Sequence, residues 1–130
     1  MIELQNDESL QAVRDFLASC PRWLEVRSVS HLPEWSLDFL DEGEREALAL
    51  AKELSADAII IDEEDRRAEA KRQGVRVIGT LRVLYDASEA GLCDLKEAYD
   101  RLRKTTFRAS ERLYEYFLTL EAERKAQGDK

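Results

Sequence analysis

Apolar residues recur every three or four positions in most of this chain, which is the spacing of helices with one buried face. The helices predicted in this way cover residues 8–20, 41–55 and three segments that begin at Thr80, Asp94 and Ser110, and a short polar helix covers residues 63–72. Glycines follow two of them, at Gly74 and Gly91. Glycine adopts the left-handed conformation that ends a helix at little cost, so these helix ends are well defined.

Three short segments between the helices predict β-strands. Residues 56–62 contain three consecutive isoleucines, which is typical of a central strand that is buried on both faces. Residues 75–79 form a second apolar segment. Within residues 23–29, apolar and charged side chains alternate, which indicates a strand near a sheet edge. Strands separated by helices favour a parallel sheet. We therefore predict an α/β fold, with three α/β/α layers around a small parallel sheet, as a single domain over residues 1–130 whose tail frays from about residue 124.

The composition is that of one acidic, folded domain. Of 130 residues, 20 are Lys or Arg and 28 are Asp or Glu, which gives a net charge of −8. Tight non-specific binding of nucleic acid needs a basic surface, so it is disfavoured here. Enzymes that hold a divalent metal between carboxylates are the exception, because the metal supplies the positive charge.

Features that would direct the chain to a membrane or out of the cell are missing from the sequence. Its apolar runs stay far below the ~20 residues of a membrane-spanning helix. The opening residues MIELQNDESL lack the basic and apolar regions of a signal peptide. We interpret the two cysteines, Cys20 and Cys93, as small apolar fillers that remain reduced. These observations predict a cytoplasmic protein without membrane association.

Carboxylates gather where the predicted strands end. Asp62 closes the isoleucine strand, and Glu63 and Asp65 follow it. Glu44 lies in the first turn of the helix that leads into this strand. That helix begins near the same carboxyl edge of the sheet, where open α/β sheets bind their ligands, so Glu44 and Asp62 are expected to be neighbours. Carboxylates that converge there suit Mg²⁺ or Mn²⁺. Such a metal can activate water for the displacement of a phosphoryl group.

The same acidic residues also have a purely structural interpretation. Asp41 and Glu44 fit a capping box at a helix start. Asp62 fits the N-cap of the next helix, with Asp65 in its first turn, where negative charge suits the helix dipole. Spacing alone favours capping over metal binding, since caps are far commoner than metal sites.

Other candidates for chemistry are few. His31 is the only histidine, and its proline-containing loop indicates a side chain that faces solvent. The aromatic run in the last helix is typical of a packing face rather than of a platform for stacking bases, and it consists of Tyr114, Tyr116, Phe117 and Leu118. The single basic cluster favours a solvated, salt-bridged surface over a phosphate-binding one, and it consists of Arg101, Arg103, Lys104, Arg108 and Arg112.

Several motifs in succession resemble the PIN-like nuclease family, and in particular its uncharacterised, toxin-related branch in bacteria and archaea. The helix motif GE-x-EA begins at Gly43, and the WLEVRSV segment resembles the tryptophan-led strand of that branch. The other matching positions are Ala56-Asp57, Ile61-Asp62, Gly79-Thr80 and, towards the end, Phe107, Arg108, Ser110, Leu113 and Tyr114. The resemblance extends over nearly the whole chain.

This resemblance implies a metal-dependent ribonuclease ancestry, often as the toxin of a toxin–antitoxin pair. It therefore implies Mg²⁺ or Mn²⁺ as cofactor, RNA as substrate and an antitoxin-type protein as partner. Glu44 matches the acid on the helix before the isoleucine strand, and Asp62 matches the acid that ends the strand. By this resemblance these two residues are catalytic and bind the metal, and Glu63 or Asp65 assists them.

The beginning of the chain departs from the family pattern. PIN-like chains open with a strand that carries an Asp-Thr or Asp-Ser pair, and MIELQNDESLQ does not resemble it. We therefore expect an N-terminally truncated domain that lacks the usual first strand, unless the native product begins upstream of Met1. A reduced set of carboxylates predicts a non-catalytic or weakened relative, and unpaired strand edges predict a self-associating homodimer or partner-binding module. The alternative is a Mg²⁺- or Mn²⁺-dependent ribonuclease that uses Glu44 and Asp62.

Overall fold

The structure, a computed structural model, describes residues 11–30 and 42–128. Among these residues, helices and strands alternate through the middle of the chain, which confirms the predicted α/β order there. The elements are α1 (Gln11–Ala18), α2 (Glu42–Glu53), β1 (Ile59–Ile60), α3 (Glu64–Arg72), β2 (Val77–Ile78), α4 (Thr80–Glu89), α5 (Leu95–Arg103) and α6 (Glu111–Gly128). Helix α6 therefore includes residues 124–128, which the sequence assigned to a frayed tail.

Strands β1 and β2 form a parallel two-stranded sheet, as predicted for strands joined by a helical crossover. Ile59 lies opposite Val77, and Ile60 lies opposite Ile78. The backbone N–H of Ile61 donates to the carbonyl oxygen of Ile78 at 2.9 Å. Helix α3 connects the strands, so both strands end at the same edge of the sheet.

The prediction of a strand over residues 23–29 is wrong. These residues form an irregular segment without strand structure. The side chain of Trp23 is 76% exposed and Val26 is exposed as well, so no sheet face buries the alternating apolar positions. The charges between them, Glu25 and Arg27, form an ion pair with each other at 2.8 Å.

The isoleucine strand is also less buried than predicted. Ile59 and Ile61 are half-buried, whereas Ile60 is 59% exposed. Successive side chains of a strand point to opposite faces, so one face of β1 is packed and the other is open. The prediction of burial on both faces is therefore wrong for Ile60.

The predicted helix ends are confirmed where the structure describes them. Gly74 and Gly91 follow α3 and α4 with φ angles of +82° and +75°, which are left-handed values. The Asp94 carboxylate accepts the backbone N–H of Glu97 at 2.9 Å and caps α5. Asp41 of the predicted capping box and His31 lie outside the described residues.

Helices α4, α5 and α6 enclose the larger of two apolar clusters. Tyr99 is buried, its ring lies edge-on to Tyr114 at 5.1 Å, and its hydroxyl donates to the carbonyl oxygen of Leu81 at 2.8 Å. Tyr114 and Phe117 are buried, so the predicted packing face of α6 is confirmed for these two residues, whereas Tyr116 is exposed. The buried members of the cluster are Leu81, Tyr85, Leu95, Tyr99, Tyr114 and Phe117.

A second apolar cluster joins α2 and α3 to the sheet. Leu48 of α2 and Ala70 of α3 are buried, and the apolar side chains of the strand segments pack against them. The packed side chains are Ile59, Ile61, Val75 and Val77. This packing holds α2 and α3 against the strands.

Both cysteines are free. Cys20 is exposed, so its interpretation as an apolar filler is wrong, and Cys93 is half-buried. Within the described parts of the chain, every helix is too short or too polar to cross a membrane.

Candidate site at the carboxyl edge of the sheet

The end of β1 is bonded directly to the start of α4. Asp62 follows β1 and Thr80 follows β2, so the parallel arrangement brings the two residues to one edge of the sheet. One carboxylate oxygen of Asp62, Oδ1, accepts the backbone N–H of Thr80 at 2.8 Å. The other, Oδ2, accepts the Thr80 hydroxyl at 2.6 Å. Both oxygens of this carboxylate therefore have a donor.

These bonds make Asp62 a cap of α4. The sequence predicted it as the N-cap of α3, which is wrong: that position is held by Glu63, whose side chain makes no capping bond. The N-cap of α4 is Gly79, which has no side chain to accept a bond. Asp62 supplies that acceptor from the neighbouring strand, and its negative charge suits the N-terminus of a helix.

Gly79 is approached closely by two side chains at the same edge. A Cβ atom on Gly79 would lie 3.0 Å from Arg67 Nη1 and 3.0 Å from Asp62 Oδ1. Arg67 Nη1 in turn donates to the carbonyl oxygen of Ile61 at 2.8 Å. The guanidinium and the carboxylate thus use the space that a larger residue would fill.

Arg66 joins the first turns of α2 and α3. Its Nε lies 2.6 Å from Oε2 of Glu44, and its Nη1 forms an ion pair with Glu63. The side chains of Arg66 and Glu44 are 25% and 27% exposed, so this pair is largely shielded. Burial would lower the pKa of Arg66, but the carboxylates of Glu44 and Glu63 outweigh it and raise the pKa. The guanidinium is therefore a permanent positive charge at this edge.

The fourth predicted acid, Asp65, is exposed and makes a local contact. Its Oδ1 accepts the backbone N–H of Arg66 at 3.0 Å. The structure thus brings Glu44 and Glu63 together around Arg66, and it places Asp62 on Thr80.

The described carboxylates at this edge are not arranged as a cluster of metal ligands. Mg²⁺ requires near-octahedral coordination by oxygen atoms. In the described ranges, no group of three or more His, Cys, Asp or Glu side chains is arranged to hold a metal ion. Glu44 and Glu63 share one guanidinium, and Asp62 is engaged through both oxygens. The assignment of Glu44 and Asp62 as catalytic residues, with Glu63 and Asp65 as further ligands, stays a prediction.

Sequence reasoning missed Arg66. One signal was present, because Glu63 and Arg66 are three positions apart at a helix start, where opposite charges pair. The contact with Glu44 depends on how α2 packs beside α3, which no local pattern reports. Thr80 was recognised as a helix start, but not as the partner of Asp62.

The basic cluster of α5 and α6 is largely tied to the protein itself. Arg101 forms an ion pair with Glu97 at 3.3 Å, and Arg103 Nη1 donates to both carboxylate oxygens of Glu111 at 2.8 Å. The Arg103 guanidinium also lies 4.0 Å above the centre of the Tyr114 ring. The salt-bridged interpretation is confirmed for these two arginines.

Two further members of the cluster leave a smaller charged surface. Lys104 and Arg112 are exposed, and neither forms an ion pair with the described part of the chain. Arg108 Nη1 donates to the carbonyl oxygens of Thr105 and Phe107, both at 3.2 Å. The charges that remain for a ligand are fewer than the sequence count suggests.

Comparison with known proteins identifies one related family. A family model described as a PIN domain matches residues 1–123 of the 130. A search of curated proteins gave no match, and a search of solved structures gave none either. The matched range includes the whole carboxyl edge, with Glu44, Asp62, Arg66 and Thr80.

Proposed function

Because this chain belongs to the PIN-domain family, we propose that it is a nuclease-like PIN module whose metal-dependent catalysis is lost or strongly weakened. The observation that carries the proposal is the position of Arg66. Its guanidinium binds the carboxylates of Glu44 and Glu63, and the sequence resemblance implies that Glu44 corresponds to an acid of the family. This internal cation supports the proposal that the edge does not take up the external cation that catalysis would need.

The electrostatics of the edge support this proposal. A divalent cation that approaches Glu44 is repelled by the guanidinium beside it. To bind, it must displace Arg66 and leave that charge in a largely shielded position without its main partners. The two oxygens of Asp62 can join a metal only if they release Thr80, which removes the cap of α4. Both changes oppose metal binding.

Exposed apolar residues support a role in association. Ile60 of β1 is 59% exposed, and Leu92, after α4, is 78% exposed. Exposed apolar strand residues favour pairing with another chain. We propose that the module forms a homodimer, with an antitoxin-type protein as the alternative partner. Size-exclusion chromatography with light scattering should give twice the mass of 15.0 kDa, and a monomer at all concentrations would contradict self-association.

The competing proposal is a Mg²⁺- or Mn²⁺-dependent ribonuclease, the toxin of a toxin–antitoxin pair. Family membership favours it, since the PIN domain is a nuclease-type module. It also agrees with the location of Glu44 and Asp62 on elements that meet at the carboxyl edge. It requires Arg66 to leave Glu44 when metal and RNA bind.

One experiment separates the two proposals. Wild type, Glu44→Gln and Asp62→Asn are incubated with single-stranded and structured RNA, either in about 5 mM Mn²⁺ or in EDTA. This concentration of Mn²⁺ is high enough to fill a weak site. Glu46→Gln is the matched control, because Glu46 is exposed in the same turn of α2. We expect no metal-dependent cleavage by any variant. Cleavage by wild type and Glu46→Gln that disappears in both other variants would establish the ribonuclease instead.

A further inference from the structure

A second inference rests on the proposed function and concerns the guanidinium itself. We propose that Arg66 is the resident cation of the carboxyl edge, and that it excludes divalent cations by occupying Glu44 and Glu63. Arg66 would then be an inhibitory contact built into the fold, and the edge would be a cation site that carries its own cation.

The geometry of the contact is that of a cation between two ligands. Glu44 comes from α2 and Glu63 from the N-cap of α3, and they engage two different nitrogens, Nε and Nη1, of one planar group. The attraction between Arg66 Nε and Glu44 is that of opposite charges at short distance. Arg66 therefore bridges the two carboxylates.

The charge balance explains why the arginine is needed. Without Arg66, the negative charges of Glu44 and Glu63 would lie close together, and Asp62, which follows β1, would add a third. Like charges that lie close together destabilise one another. Glu44 is only 27% exposed, so water screens it incompletely. A site with this charge attracts any cation that fits, and Arg66 satisfies it from within the chain.

The inference predicts that loss of Arg66 creates affinity for metal. Arg66→Met removes the cation and keeps an unbranched side chain, so Glu44 and Glu63 lose the positive charge that they share. We expect Mn²⁺ to bind at least about tenfold more tightly than to wild type, because a repulsive unit charge a few ångströms away has been removed. Arg66→Lys keeps the charge and should stay like wild type.

Mn²⁺ binding to the full chain is measured by the loss of the free-ion signal in electron paramagnetic resonance, which does not depend on activity. Arg101→Met is the matched control, since it removes the arginine of another Arg–Glu ion pair, Arg101–Glu97, on an exposed surface. The double variant Arg66→Met, Glu44→Gln tests whether the new site uses Glu44. We expect Mn²⁺ binding by Arg66→Met, and no detectable Mn²⁺ binding by wild type, the control or the double variant.

Each outcome has a distinct meaning. If wild type and Arg66→Met are both silent, the inference about Arg66 is overturned, while the proposed loss of catalysis stands. If wild type binds Mn²⁺ in a way that Glu44→Gln abolishes, the proposed function is overturned as well. Should circular dichroism show that Arg66→Met is unfolded, Arg66→Gln, which keeps a hydrogen-bond donor, takes its place under the same criteria.

Discussion

Replacement of Asp62 by alanine should destabilise the domain without any metal present. The change removes the acceptor for the Thr80 backbone N–H, and loss of such a cap costs about 1 kcal/mol. It also removes the acceptor for the Thr80 hydroxyl, worth about 1 kcal/mol more at this exposed position. We therefore expect Asp62→Ala to lower the free energy of unfolding by about 2 kcal/mol, and Thr80→Val, which removes only the hydroxyl bond, by about 1 kcal/mol.

Urea denaturation in EDTA measures these losses, and a double-mutant cycle isolates the contact. The free energies of Asp62→Ala, Thr80→Val and the double variant should give a coupling of about 1 kcal/mol. Asp57→Ala is the control, because Asp57 is exposed in the loop before β1, and it should change stability by less than about 0.5 kcal/mol. A loss in Asp62→Ala no larger than in this control would refute the capping role, and additive effects in the cycle would refute the contact with the Thr80 hydroxyl.

Two further predictions concern the packing around the site. Hydrogen bonds from Arg72 and, to a smaller extent, Gln73 hold the pKa of the buried Glu69 carboxyl below its usual range. Glu69 therefore stabilises the fold above about pH 4.5, its ordinary pKa, and this stabilisation is lost as the pH falls through the lowered pKa. Glu69→Gln should flatten the decline of the unfolding free energy at acid pH, measured by urea titration at several pH values, and an unchanged decline would contradict this. Tyr99→Phe removes the buried hydroxyl bond to the Leu81 carbonyl and should cost about 1 kcal/mol in the same assay, with no loss as the contrary result.

The parts of the fold that depend on neighbouring residues were predictable from the sequence. Asp94 caps α5, and Gly74 and Gly91 follow helices, because each effect is decided within a few positions of the chain. The parallel pairing of β1 and β2 followed from their helical connection. The predictions that Ile60 is buried and that residues 23–29 form a strand were wrong for one reason. An apolar pattern indicates which face a strand could bury, but not whether another part of the chain packs against that face.

The candidate site shows the same division. The sequence placed Glu44 and Asp62 at one edge, because it showed which elements precede and follow β1. It did not show that Arg66 reaches Glu44 or that Asp62 bonds to Thr80, since both contacts cross between elements distant in the chain. A count of carboxylates at an edge leaves out the cations of the same chain that pair with them.

We propose that Arg66 takes the place of a metal at the carboxyl edge. The most direct test of this proposal is a crystal of the wild-type chain soaked in Mn²⁺, with anomalous diffraction recorded at the manganese edge. We expect guanidinium density between Glu44 and Glu63 and no anomalous peak beside them. A manganese peak about 2.1 Å from oxygens of Glu44 and Asp62, with Arg66 turned away, would contradict it.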